Sequence, residues 1–146
     1  MENSQNLLNE IHSCFPCDER DIRSYSSLNL AFLGDAVFEI IVRTLIVEQN
    51  KGPVKKLHKR VSELVNAASQ ARLAAALQED LTEEELIAYR HGRNAKTSSV
   101  ARNANIHDYR KATGLEALFG YLYLNGRSER AVILLKLGLE RLGINI

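Results

Sequence analysis

Residues 27–49 read SLNLAFLGDAVFEIIVRTLIVEQ, from Ser27 to Gln49, and this stretch decides the fold. Apolar side chains, Leu28, Leu30, Phe32, Leu33, Val37, Phe38, Ile40 and Ile41 among them, fall almost all round its helical projection. That pattern predicts a long, central, buried helix. Over the whole chain Leu (21) and Ala (15) outnumber Ile (10) and Val (8) two to one, which favours helix over sheet throughout. Working outward, a short amphipathic helix is expected over 4–14, broken by Pro16. Asn50-Lys51-Gly52 ends the long helix, and Pro53 suits the first turn of a helix over 53–65. Further helices are expected over 68–78, from the Thr82-x-x-Glu85 capping box to about His91, and over 108–124 and 128–142. Between Gly92 and Ile106 the hydrophobic period vanishes, which predicts a long functional connection. The expectation is an all-α domain of about six to seven helices.

The chain has 146 residues, 45% hydrophobic and 25% charged, enough for a core without disulfides or metal. This composition excludes the disordered, collagen-like and disulfide-scaffold classes. Nineteen basic residues against eighteen acidic ones conceal an uneven distribution. Residues 51–60 carry Lys51, Lys55, Lys56, Lys59 and Arg60 without an acid, which is either a nucleic-acid track or a solvated helix face. Residues 90–111 carry Arg90, Arg93, Lys96, Arg102, Arg110 and Lys111 against Asp108 alone. With no apolar run of bilayer length and a polar N-terminus, the expected compartment is the cytoplasm, with no membrane partner. Cys14-Phe15-Pro16-Cys17 has the spacing of a zinc or redox pair, but it lacks a second CxxC or a surrounding βαβ pattern. Reduced thiols near a turn are the simpler reading.

Carboxylates in apolar surroundings stand out more. Asp35, Glu39 and Arg43 form one polar stripe at i, i+4 and i+8 on the long helix, and either acid is a candidate partner for Arg43. Glu116 is the one formal charge between Lys111 and Arg127. A buried carboxylate needs a compensating partner. Glycines flank both sites, Gly34 before Asp35 and Gly114 and Gly120 around Glu116, and helix-interior glycine is a mark of close backbone approach. If the helices cross there, Asp35 and Glu116 converge. Such a pair needs a proton or a hard divalent cation between its members, Mg²⁺ or Mn²⁺. Together with the basic segments, this points to phosphate chemistry.

Leu30-Ala31-Phe32-Leu33-Gly34-Asp35-Ala36-Val37-Phe38-Glu39 resembles the signature helix of the ribonuclease III family. Thr113-Gly114-Leu115-Glu116-Ala117-Leu118-Phe119-Gly120 resembles its second acidic motif. The family's additional acids are replaced here by Leu28, Ala31 and Thr113. With His91-Gly92-Arg93-Asn94-Ala95-Lys96 and no room for a double-stranded-RNA-binding domain, these departures resemble the Mini-ribonuclease III branch. The resemblance spans about residues 25–143. It implies an N-terminal extension (1–24) and a catalytic domain (25–146) acting as a Mg²⁺-dependent endoribonuclease on double-stranded RNA. By position Asp35 and Glu116 match the catalytic metal ligands, and Phe32 matches a residue at the interface of a homodimer. Its alternative is an ordinary core aromatic. Thr113 is a candidate support for metal-bound water, or a back-bond within its own helix.

The implied substrate is the 23S ribosomal RNA precursor, cut to leave 5′-phosphate and 3′-hydroxyl ends, and a ribosomal protein that presents it is left open. For RNA contact, Arg90, Arg93, Lys96 and Arg102 suit phosphates, and Asn94 and Ser98 suit 2′-hydroxyls in the minor groove. The competing reading is a non-catalytic helical RNA-binding module.

Overall fold

The computed structural model describes residues 7–18, 20–49, 52–96 and 105–146. Its centre is a helix of nineteen residues, Ile106–Leu124, in which every residue from Ala112 to Gly120 is buried except Glu116. Numbered in chain order the helices are α1 (Leu7–Cys14), α2 (Ser27–Gln49), α3 (Val54–Val65), α4 (Ala67–Leu77), α5 (Glu83–Asn94), α6 (Ile106–Leu124) and α7 (Ser128–Arg141). Single 3₁₀ turns lie at Ile22–Ser24 and Gln78–Asp80, and no strand occurs among the described residues. Helices α2, α4, α5 and α7 all pack on α6. The fold is all-α, as the composition implies.

The start signals act as their chemistry dictates. Thr82 and Glu85 form the reciprocal capping box of α5, with Thr82 N–H donating to Glu85 Oε1 at 2.9 Å and Glu85 N–H donating to Thr82 Oγ1 at 3.2 Å. Asn66 caps α4 and Asn105 caps α6 through their side-chain oxygens. Glu85 is also fully buried and is held by Arg130 of α7 at 2.9 and 3.0 Å. Burial alone would raise its carboxyl, but the Arg130 guanidinium and the Thr82 N–H more than offset this and hold it below the ordinary value. Arg130 also donates to the Asp80 carbonyl at 2.8 Å, which ties α7 to the turn between α4 and α5.

Two expectations are corrected. Gly92–Asn94 belong to α5, not to a connection, because Gly92 packs directly under α6 and that contact continues the helix. The most enclosed helix is α6 rather than α2. α2 buries Leu30, Ala31, Gly34, Val37, Phe38, Val42 and Ile46, but leaves Leu28, Phe32, Ile40 and Val47 exposed. It is apolar all round, and within one chain its outer face is uncovered. No helix among the described residues is long and apolar enough to cross a membrane. Cys14 and Cys17 are free and exposed.

Candidate active site

Helices α2 and α6 touch backbone to backbone, and glycine is what permits it. A Cβ on Gly34 would lie 1.6 Å from the Glu116 carbonyl oxygen, and one on Gly120 would lie 2.0 Å from that of Leu30. Gly114 does not share this crossing, contrary to its sequence reading. It faces α5, where a Cβ would meet the Tyr89 ring and carbonyl at 2.8 Å, and the facing Gly92 would meet Ala117 at 2.5 Å. α6 is therefore clasped twice, by α2 along Glu116–Gly120 and by α5 along Thr113–Ala117. The first contact brings Asp35 and Glu116 together. The second brings the basic end of α5 to the same stretch of α6.

The two carboxyls meet at the boundary between core and solvent, with Asp35 exposed and Glu116 half-buried. Burial, the neighbouring Asp35 charge and a hydrogen bond shared with Asp35 push the Glu116 carboxyl up to about 8, against a smaller opposing effect of Gln70. Glu39 plays no part in this pairing, because Arg43 holds it, with Nε donating to Oε1 at 2.7 Å. Asp35 and Arg43 are two helical turns apart, roughly 12 Å along the axis, too far for an intrahelical pair. Thr113 Oγ1 donates to the Tyr109 carbonyl at 3.0 Å, the back-bond within its helix. Gln70, which sequence reasoning passed over, is 1% exposed on α4. It was findable, since it shares the apolar face of Leu73, Ala74 and Leu77 at i+3, i+4 and i+7.

The raised Glu116 pKa has a definite sign. The folded chain retains a proton that the unfolded chain releases above its ordinary 4.5, so stability without added cation falls as pH rises from about 4.5 to about 8. Thermal midpoints measured in chelator across that window should decline more steeply for wild type than for Glu116→Gln. Parallel profiles would show that neither burial nor Asp35 raises the Glu116 carboxyl.

Arg90, Asn94 and Lys96 are exposed, and Arg93 is half-buried, its guanidinium 5.7 Å from the Tyr89 ring centre and its Nε donating to Asn94 Oδ1 at 3.2 Å. His91, Asn94 and Lys96 share a groove with Ser26, Ser27 and Leu28 at the start of α2. Ser98 and Arg102 lie outside the described residues, as does Lys51. Of the other basic residues near 51–60, Lys55, Lys56 and Lys59 are exposed, while Arg60 pairs with Glu63 at 3.1 Å and donates to the Asn145 carbonyl at 2.6 Å. Phe32 is 84% exposed, so the core-aromatic reading is excluded. It borders an apolar groove of about 910 Å³ with Ala36, Ile40, Tyr123 and Val132, which Asp35 also lines.

The family model for the ribonuclease III domain matches residues 28–127, a span that holds both carboxylates and both glycine contacts. The chain belongs to the ribonuclease III family. It is 43% identical over 120 residues to the Mini-ribonuclease 3 of Clostridium tetani, covering 82% of this chain and 80% of that protein. It is 40% identical over 126 residues to that of Enterococcus faecalis, covering 85% and 96%. A crystal structure of a Fusobacterium nucleatum protein, 32% identical, superposes with a TM-score of 0.74 over 84% of this chain and 94% of that one. As a ribonuclease III family member, the chain is an endoribonuclease, a hydrolase of phosphodiester bonds.

The donor set at Asp35 and Glu116 suits a divalent cation. Two hard oxygen donors converge, their mutual repulsion is offset by no cationic side chain among the described residues, and the Asp35 side is open to solvent. No cluster of three His, Cys, Asp or Glu forms among the described residues, so two carboxylates are what the protein offers there.

Proposed function

We propose that this endoribonuclease cuts double-stranded RNA with Mg²⁺, or Mn²⁺ in its place, held by Asp35 and Glu116, and that its substrate is the 23S ribosomal RNA precursor. The observation that carries the reading is the meeting of those two carboxyls at the glycine crossing of α2 and α6. When bound, the cation supplies Lewis acidity, lowering the pKa of water and stabilising charge on the phosphodiester. Asp35 and Glu116 fix its place, and Glu116 gives up its proton to do so. The backbone contact of α2 with α6 sets the spacing of the two residues' main chains and so brings their carboxyls to one place. Water adds to phosphorus and the bond to the 3′ oxygen breaks, leaving 5′-phosphate and 3′-hydroxyl ends. Residues 25–146 form the catalytic unit, preceded by the extension 1–24, and the compartment is the cytoplasm. The direct test is incubation of a base-paired 23S precursor stem with the protein in Mg²⁺ and in chelator. Defined cuts in Mg²⁺ alone support the reading. Binding without cleavage in both would favour a non-catalytic module.

Arg90, Arg93, Asn94 and Lys96 at the end of α5, with Ser98 and Arg102 beyond it, form the RNA contact in this reading. Their support is the close packing of α5 on α6 beside Glu116. A phosphate-contacting cation contributes affinity regardless of sequence and is screened by salt. Lys96→Ala should therefore weaken binding evenly across duplexes and reduce the slope of log affinity against log salt by about 1. Equal binding by wild type and variant at several salt concentrations would remove this segment from the interface.

The active form is a homodimer with Phe32 at its interface. An aromatic ring 84% exposed beside a large apolar groove is unfavourable in water and is relieved by covering it. Since Asp35 lines the same groove, pairing through it would set two carboxylate sites side by side on one duplex. Phe32→Glu should yield monomers in sedimentation at micromolar concentration and reduce cleavage. A variant that sediments as wild type would place the interface elsewhere. A ribosomal protein presenting the precursor is compatible with this arrangement.

A further inference from the structure

The least satisfied side chain in the described structure is Gln70. It is 1% exposed, and its Nε2 is the buried side-chain polar atom that lacks a hydrogen-bond partner among the described residues. Its neighbour Ser69, also buried, is satisfied, with Oγ donating to the Glu63 carbonyl at 2.7 Å. A buried N–H without an acceptor destabilises the fold, and an apolar side chain of similar volume at this position would not carry that cost. The Gln70 amide faces Glu116 across the α4–α6 contact, close enough to favour the charged carboxylate but outside hydrogen-bonding geometry.

We propose that Gln70 is a positioning residue for Glu116. Its Nε2–H donates to the Glu116 oxygen turned away from Asp35 when Glu116 takes up a divalent cation, fixing the carboxylate's rotation towards Asp35. The proposal rests on the reading that Glu116 holds the cation. A carboxylate has two oxygens and several lone pairs, so one oxygen can face the cation while the other accepts from the amide. Because the Gln70 side chain is already buried and ordered in the fold, the donor is poised at little cost in side-chain ordering at the moment of binding. Hydrogen bonds of this kind to ligating carboxylates hold their orientation, and their removal weakens metal affinity about 10- to 100-fold.

The test uses the full chain and Mn²⁺ alone, with binding followed by electron paramagnetic resonance and the fold by thermal midpoint. Gln70→Met removes the N–H and keeps the length. It should bind Mn²⁺ at least about tenfold more weakly while its midpoint without metal holds or rises, with RNA affinity in chelator unchanged. Gln70→Leu, assayed in parallel, should behave alike. In wild type, the Gln70 side-chain amide proton should move downfield in the nuclear magnetic resonance spectrum on addition of Mg²⁺. Unchanged Mn²⁺ affinity, or a loss accompanied by a lower midpoint or by failure of both variants to fold, would overturn the proposal and make Gln70 a packing residue. Glu116→Gln in the same series separates the two readings. If that variant loses Mn²⁺ and Gln70→Met does not, the positioning role alone falls. If Glu116→Gln binds Mn²⁺ like wild type, the cation site itself falls and the Gln70 role with it.

Discussion

Glu116→Gln is expected to reduce cleavage of a base-paired RNA stem in Mg²⁺ on the order of a thousand-fold or more, with RNA affinity within about twofold of wild type. The amide matches the carboxyl in shape, so the crossing at Gly34 and Gly120 is left intact. What it loses is the ability to ionise. Without added cation, Glu116 has its pKa raised to about 8 by burial and by Asp35, so near neutral pH it is largely the protonated acid that glutamine imitates. The unfolded wild-type chain ionises there and the variant cannot, so in chelator the variant should gain stability over wild type progressively from about pH 4.5 to about 8 and hold that gain above it. Loss of rate with retained folding and retained RNA binding would separate a chemical role from a structural one. Single-turnover cleavage and binding measured on the same samples would show it. Cleavage within a few-fold of wild type would remove Glu116 from the reaction and favour a different set of ligands, whereas a parallel loss of RNA affinity would make it a binding residue.

The helices were legible because their signals are local. The Thr82/Glu85 capping box, Pro53 before α3 and the apolar run of α2 each depend on residues within one or two turns, and each appears where its chemistry requires. The glycine logic was legible in part. Gly34 and Gly120 do meet α2 against α6, but an interior glycine announces a close neighbour without naming it, and for Gly114 the neighbour is Tyr89 of α5. The same limit applies to the polar stripe, where Arg43 could have taken either acid on type alone. Helical rise decides for Glu39, one turn away, and leaves Asp35 to Glu116. Burial was misjudged for α2 because hydropathy reports a face's preference and not whether a partner covers it. Phe32 has the composition of a core residue and is exposed on the outer face of α2. The burial of Gln70 is legible in its helical period with Leu73, Ala74 and Leu77, but its unpaired Nε2 is not, because pairing is a property of three-dimensional neighbours.

Gly34→Ala is expected to be strongly destabilising, because of the chain's glycines it has the tightest surroundings for an added Cβ. The added Cβ would lie 1.6 Å from the Glu116 carbonyl oxygen, 2.6 Å from its carbonyl carbon and 2.7 Å from the Gly120 nitrogen. All three are backbone atoms within a buried helix, so no side chain can rotate to make room. Alanine's better helix propensity, worth about 1 kcal/mol, is too small to offset the clash. Relief requires α2 and α6 to separate, which opens voids around Phe38 and Phe119, whose ring centres are 5.5 Å apart across the same contact. Overpacking of ordinary cores costs about 1–3 kcal/mol, and a backbone-to-backbone clash belongs above that range. The thermal midpoint should fall by about 10 °C or more, or the protein should fail to fold. Gly52→Ala is the matched control. Its Cβ would meet only the flexible Lys56 side chain, Cδ at 3.1 Å, so its midpoint should move little. The pair carries a functional corollary, because the separation of α2 from α6 also sets the separation of Asp35 from Glu116. Where Gly34→Ala retains enough structure to be assayed, its half-saturating Mg²⁺ concentration should rise, while that of Gly52→Ala stays at the wild-type value. A folded Gly34→Ala with wild-type midpoint and wild-type Mg²⁺ dependence would mean that the helices do not touch at Gly34, and the carboxylate pair would lose the contact that forms it.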